Sequence, residues 1–185
     1  MKRFRFLLTV ALGLVLVGGC TAVWTTGEVP FIPTPMEVVD RMLEMAEVTS
    51  RDVVYDLGSG DGRIVIRAAK RYGARGVGIE IDPKLVELSR AKVREEGVDH
   101  LVEIREQDVF KADVSPATVV TLYLLADFNA RLRPLLESHL RPGSRVVSHD
   151  FRIDGWTPLR VERMKGDLLH DHTIYLFRIE EERPK

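Results

Sequence analysis

A single cysteine, Cys20, excludes an internal disulfide framework anywhere in the 185 residues. Neither sign of charge is in excess: 27 Lys and Arg stand against 28 Asp and Glu, a formal net charge of −1. That balance gives no basic nucleic-acid footprint, and no nucleic-acid partner is expected. An unbroken apolar run of the roughly 20 residues that a transmembrane helix needs is also lacking. Residues 6–17 fall short of it, and only extension to Trp24 approaches that length. Internal repeats and low-complexity linkers are missing too. What remains is room for one modest domain, with no substrate domain of any size.

The first 24 residues stand apart from the rest. Lys2, Arg3 and Arg5 make a basic start, residues 6–17 are almost continuously apolar, and Gly18 and Gly19 precede Cys20. A basic n-region, a short apolar stretch and a small-residue cleavage site have the layout of a secretory signal. Small residues directly before a lone cysteine resemble a bacterial lipobox, in which Cys20 would be freed and lipidated. An uncleaved anchor is the other reading, and a buried helix of the fold a third. The expectation is residues 1–24 as signal, lipoprotein or anchor segment, residues 30–182 as the folded domain, and a membrane-associated protein. The side of the membrane stays open.

Residues 53–62, Val-Val-Tyr-Asp-Leu-Gly-Ser-Gly-Asp-Gly, carry the strongest signal. A strand runs into a glycine turn, and the residues from Arg63 to Tyr72 have a helical composition. Without Cβ atoms the backbone can approach a ligand closely, and free N–H groups at the helix start point into the gap. The spacing is G-x-G-x-G at Gly58, Gly60 and Gly62, where a dinucleotide fingerprint would read G-x-G-x-x-G. Asp56 precedes the turn and Asp61 lies inside it. Two carboxylates repel a pyrophosphate and welcome a ligand bearing an ammonium and a sulfonium. Glu80, ending the next apolar strand, is placed to accept from ribose hydroxyls. Asp108, ending a third strand over residues 101–110, can accept from an adenine amino group. Together these outline an adenosine that carries something other than phosphate.

The chain resembles the class I, Rossmann-like S-adenosylmethionine-dependent methyltransferases. Residues 56–62 are similar to their first motif, Glu80 to the ribose acid and Asp108 to the adenine-side acid. Three further stretches narrow the resemblance: Pro-Phe-Ile-Pro-Thr-Pro at 30–35, Leu-Tyr-Leu-Leu at 122–125 and Ser-His-Asp-Phe at 148–151. These look like the small membrane-associated protein-lysine methyltransferases, whose substrates include mitochondrial carriers and the ATP synthase c-subunit. The resemblance implies S-adenosyl-L-methionine as cofactor, bound by Asp56, Gly58, Gly60, Asp61, Gly62, Glu80 and Asp108. It implies a lysine side chain of a membrane-associated protein as acceptor. Methyl transfer to a small molecule, or a tethered binder without catalysis, are the alternatives. A nucleotide-sugar epimerase or dehydrogenase is disfavoured by the glycine spacing and the acids. The Asn/Asp-Pro-Pro-Tyr motif of nucleobase and glutamine N-methyltransferases is absent.

Periodicity predicts an α/β fold: a doubly wound, mostly parallel sheet closed by an antiparallel C-terminal hairpin. A helix follows Thr34, read as its N-cap, with Pro35 in the first turn. Another spans residues 85–96, opened by Asp82 and Pro83 and closed by Gly97. Residues 117–125 and 144–149 read as strands with a helix over 128–140 between them. Residues 159–164 and 170–179 form the hairpin around Lys165-Gly-Asp.

A sulfonium methyl is already activated, so the enzyme must mainly align a nucleophile and exclude water. Tyr123 is the candidate for positioning the acceptor, with Asp127 either at the same rim or capping the next helix, and Asn129 beside it. His149 and Asp150 are candidate rim residues. His170 and His172 would share a face of a strand. Spacing fixes no third ligand for a metal, and no metal site is predicted.

Overall fold

The computed structural model describes residues 31–166 and 170–180. The 1–24 segment with Cys20, Pro30 and Asp167 of the expected hairpin turn lie outside the described residues. Among those described, no helix is long and apolar enough to cross a membrane.

Twelve elements alternate along the described residues, as expected. Helix α1 (Met36–Met45) leads to β1 (Val53–Leu57), α2 (Arg63–Tyr72), β2 (Arg75–Glu80), α3 (Pro83–Glu95) and β3 (Val102–Glu106). A 3-10 turn (Val109–Lys111) precedes β4 (Val119–Leu122), α4 (Ala126–His139), β5 (Arg145–His149), β6 (Arg160–Met164) and β7 (His172–Arg178). The seven strands make one sheet in the order β3-β2-β1-β4-β5-β7-β6. The first five run parallel, and β7 lies antiparallel to both β5 and β6. The chain winds outward from β1 to β3, then crosses to β4 on the other side. A crevice opens at that reversal, beyond the carboxyl ends of β1 and β4.

Strand β1 is buried along its whole length because helices cover both faces. Val53, Tyr55 and Leu57 face one layer with Leu122, Val146, Phe177 and the α4 residues Leu132 and Leu136. Val54 points the other way, into a layer with Val119, Val147 and the α1 residues Val38, Val39, Met42 and Leu43. A third cluster packs α2 and α3 over β3 through Val65, Val86, Val93 and Ile104. A one-residue slip of β1 would exchange its two faces, so this burial locks the register that aims Asp56 at the crevice. At the opposite end Asp52 accepts from Thr49 N–H, from Thr118 Oγ1 at 2.7 Å and from Arg145. Those contacts tie β1 to β4 and β5 away from the site.

Several boundaries differ from the sequence reading. Pro35, not Thr34, caps α1, and the Thr34 hydroxyl instead faces His149 Nδ1 at 3.4 Å. Helix α4 starts at Ala126 after Leu125, so Asp127 lies in its first turn and is not the cap. Strand β4 stops at Leu122, since residues 123–125 must bend out of the sheet to start α4 at the crevice. Strand β3 ends at Glu106, and Asp108 caps the 3-10 turn by accepting Phe110 N–H at 3.0 Å. His170 precedes β7 and does not share a strand with His172. Asp82 does cap α3, accepting Lys84 N–H at 2.8 Å with Pro83 in the first turn.

Candidate active site

A cavity of about 830 Å³ fills the crevice. Asp56, Gly58, Gly60, Asp61, Glu80, Asp108 and Tyr123 all line it, so the residues singled out in the sequence come together. Gly62 does not line it. Its φ of 76° and its closeness to Ser89 and Ile104 give it a different task, starting α2 where that helix packs on α3 and β3. A Cβ there would sit 3.2 Å from Ser89 Cβ.

The glycine turn is held by the acid beyond it. Glu80 Oε2 accepts Gly60 N–H at 2.8 Å, while Oε1 accepts Ile81 N–H at 2.8 Å and Asp82 N–H at 2.9 Å. This carboxylate therefore sits between the turn and the β2 tip, and it lines the cavity. Gly60 has φ 53°, and a Cβ there would come within 2.4 Å of the Phe31 ring. Phe31, Ile32, Pro33 and Thr34 form one wall. Phe31 belongs to the 30–35 stretch singled out in the sequence, and the structure seats its ring against the glycine turn.

The two loop acids differ in state. Asp56 is wholly buried, and burial pushes its pKa up to about 7, with the Glu80 and Asp61 charges adding to the rise. Thr121, its register partner on β4, donates to Asp56 Oδ1 at 2.7 Å and offsets part of that rise. Burial also disfavours Asp61 charge, but Arg63 and Lys92 overcome it and hold the group at about 2. Arg63 donates to Asp61 Oδ1 at 2.9 Å and Oδ2 at 2.8 Å, and Lys92 to Oδ2 at 2.6 Å. The expectation that both acids offer free negative charge to the ligand is thus corrected: Asp61 is neutralised by its own neighbours. Arg63 also donates to Thr34 O at 2.8 Å, fastening the 31–35 wall to the glycine turn. In the sequence nothing separates Arg63 from a surface arginine.

At the β3 end, Ile81, Val109 and Phe110 flank Asp108. Arg131 stacks on Phe110 with its guanidinium carbon 4.0 Å from the ring centroid, closing this side from α4. At the β4 end the Tyr123 ring lies on His149, centroids 3.9 Å apart. Burial raises the Tyr123 pKa, and the negative charge of the neighbouring Asp150 carboxylate raises it further. The phenol is therefore neutral at ordinary pH. Asn129 and His149 are not rim residues: both are fully buried. Asn129 Nδ2 donates to Phe151 O at 3.0 Å and braces the loop below Tyr123. Asp150 sits beneath the rim, with φ 58°.

An acid at each of three strand tips, a glycine wall and a neutral phenol suit an adenosine carrying a sulfonium, on a seven-stranded sheet with a reversed C-terminal hairpin. These features define a methyltransferase that uses S-adenosylmethionine. Comparison with known proteins agrees. The chain shares 57% identity and a TM-score of 0.79 with a Salinibacter ruber RNA methyltransferase solved in complex with S-adenosyl-L-homocysteine, over 83% of this chain and 97% of that one. It is 46% identical over 156 residues to a protein-lysine N-methyltransferase of Saccharolobus islandicus (strain REY15A), covering 84% of this chain and 96% of the relative. A mouse adenine nucleotide translocase lysine N-methyltransferase is 33% identical over 135 residues, 72% of this chain and 58% of its own length. Residues 56–160 match the model of the ANTKMT methyltransferase domain. The chain belongs to that family, and S-adenosylmethionine is its cofactor.

Proposed function

We propose that this enzyme methylates a lysine side chain of a membrane-associated protein, with Tyr123 positioning the amine. The observation that carries this reading is Tyr123 in the cavity lining at the β4 end, with a hydroxyl that stays neutral. A neutral phenol oxygen keeps lone pairs that can accept an N–H from the incoming amine. An amine held by its N–H leaves its own lone pair free to attack. The ammonium first gives a proton to solvent; the nitrogen then bonds to the methyl carbon as the carbon–sulfur bond breaks. S-adenosylhomocysteine and a methylated ammonium leave. The names of the archaeal and mouse relatives support lysine as acceptor, and the translocase in the mouse name supports a membrane protein.

Glu80 would accept from the ribose hydroxyls of the bound cofactor and Asp108 from its adenine amino group, with Ile81, Val109 and Phe110 supplying apolar lining on that side. Gly58 and Gly60 let the methionine portion approach the backbone, and Asp56 faces its charge.

Tyr123→Phe is expected to lower kcat about tenfold, the equivalent of one hydrogen bond of about 1.4 kcal/mol, with cofactor Kd unchanged. Equal losses in kcat and cofactor affinity would instead make Tyr123 a packing residue. The acceptor itself is tested by incubating the enzyme with methyl-labelled cofactor and membrane extracts, then mapping the label. Lysine in a membrane protein is the expected position. Label on RNA, the substrate class in the name of the 57% identical neighbour, would replace the lysine reading and leave methyl transfer intact.

We further propose that residues 1–24 carry a lipoprotein signal, cleaved before Cys20, and that acyl chains on Cys20, the first residue of the mature chain, hold the enzyme at a membrane. Stable anchoring needs two acyl chains or one chain with a second signal. Mass spectrometry of the native protein is expected to find diacylated or triacylated Cys20. An intact Met1 would replace lipidation by an uncleaved anchor.

A further inference from the structure

Behind Tyr123, and outside the cofactor cavity, three potential ligand atoms converge. His149 ends β5, Asp150 follows it, and His172 opens β7, which pairs antiparallel with β5. His149 Nε2 lies 3.0 Å from His172 Nδ1 and 3.2 Å from Asp150 Oδ2. His172 Nδ1 lies 3.7 Å from the same oxygen. Ligands held tetrahedrally at about 2.0–2.1 Å from a zinc ion stand about 3.3 Å apart. The three separations scatter around that value. The sequence alone supplied no such set, because the antiparallel register is what brings His172 to His149 from 23 positions away.

The surroundings hold two of these groups from behind. His149 Nδ1 faces Thr34 Oγ1 at 3.4 Å, and Asp150 Oδ1 accepts Thr173 N–H at 2.8 Å. Such outer contacts fix a ring and a carboxylate so that one atom of each points inward. Asp150 takes the left-handed φ of 58°, which a non-glycine residue rarely adopts and which strain usually reserves for sites needing a set geometry. Two neutral imidazole nitrogens that face each other can share one proton between them. A cation satisfies both lone pairs and the carboxylate oxygen together.

We propose that His149, Asp150 and His172 form a binding site for a divalent first-row transition ion, zinc foremost. Two imidazoles and one carboxylate suit such ions, whereas magnesium and calcium favour oxygen ligands throughout. His170 marks the open side, half exposed, with its Nε2 2.9 Å from Asp150 Oδ2. The three ligands do not line the cofactor cavity, so the ion does not touch the transferred methyl. It fixes the floor on which the Tyr123 ring rests, and the site stands whatever the methyl acceptor proves to be.

The test uses the full chain without an affinity tag, stripped with a chelator and titrated with zinc or cobalt. One ion per chain is expected by elemental mass spectrometry, with a visible cobalt absorption and a thermal midpoint that climbs with free zinc. His172→Gln and Asp150→Asn should each weaken uptake by at least about 100-fold and abolish the cobalt band. His100→Gln, an exposed histidine between α3 and β3, should change neither. S-adenosylhomocysteine binding reports whether each variant has folded; if one has not, the wild-type cobalt spectrum and stoichiometry decide. Substoichiometric uptake by the wild type, or uptake unchanged in both folded variants, overturns the site.

Discussion

Replacing Glu80 by alanine is expected to weaken S-adenosylmethionine binding by about 10²- to 10⁴-fold. Two charge-assisted hydrogen bonds to the ribose are lost, each of about 1.5–3 kcal/mol, and tenfold in affinity corresponds to about 1.4 kcal/mol. A second loss comes from the protein itself. The carboxylate accepts from Gly60, Ile81 and Asp82, so its removal strands one N–H at the glycine turn and two at the β2 tip. Glu80→Gln keeps an acceptor oxygen and should fall between wild type and Glu80→Ala. Calorimetric titration with S-adenosylmethionine and its demethylated product measures the effect. An alanine variant within a few-fold of wild type would remove Glu80 from the ribose site.

Asp56 should couple cofactor binding to pH. In the free enzyme its pKa stands at about 7, chiefly because the group is buried. The cofactor carries an ammonium and a sulfonium, which favour the ionised form. Binding should therefore release a proton, and affinity should rise by up to about tenfold per pH unit below pH 7 and level off above it. Stability of the free enzyme runs the other way. The folded pKa lies above that of the unfolded chain, so the folded state binds more protons between about pH 4 and 7. This contribution is complete below pH 4 and is lost as pH rises through 7, a span of about 4 kcal/mol at most. Asp56→Asn should flatten both dependences. The checks are titrations in two buffers of different ionisation enthalpy, and thermal midpoints between pH 5 and 9. An affinity independent of pH in the wild type would mean that Asp56 does not meet the cofactor's charge.

Much of the architecture was legible because it is local. An apolar run ending in glycines, followed by a helical composition, can only turn where it does, and Asp56, Gly58, Gly60, Glu80 and Asp108 all end at one cavity. Strand tips in a parallel sheet collect at one edge, so acids placed at the ends of β1, β2 and β3 meet whatever the details of packing. Element ends were less legible: Asp127 reads as a cap from its residue type, yet α4 begins before it.

Taken by itself, then, the sequence determined the α/β class, the parallel sheet implied by alternation, the glycine turn and the acids that line one cavity. Tertiary structure alone decided what those charges are worth. Asp61 is neutralised by Lys92, 31 positions away on α3, and Asp56 is raised by burial that only the covered sheet supplies. It also brought Thr34 to His149 and His149 to His172. Hydrophobic periodicity fixes which face of an element is inside, because the preference for burial is set by each side chain's own polarity. The state of a charge depends on which partners the fold brings within a few ångströms, and that separation is not written in any one segment of the chain.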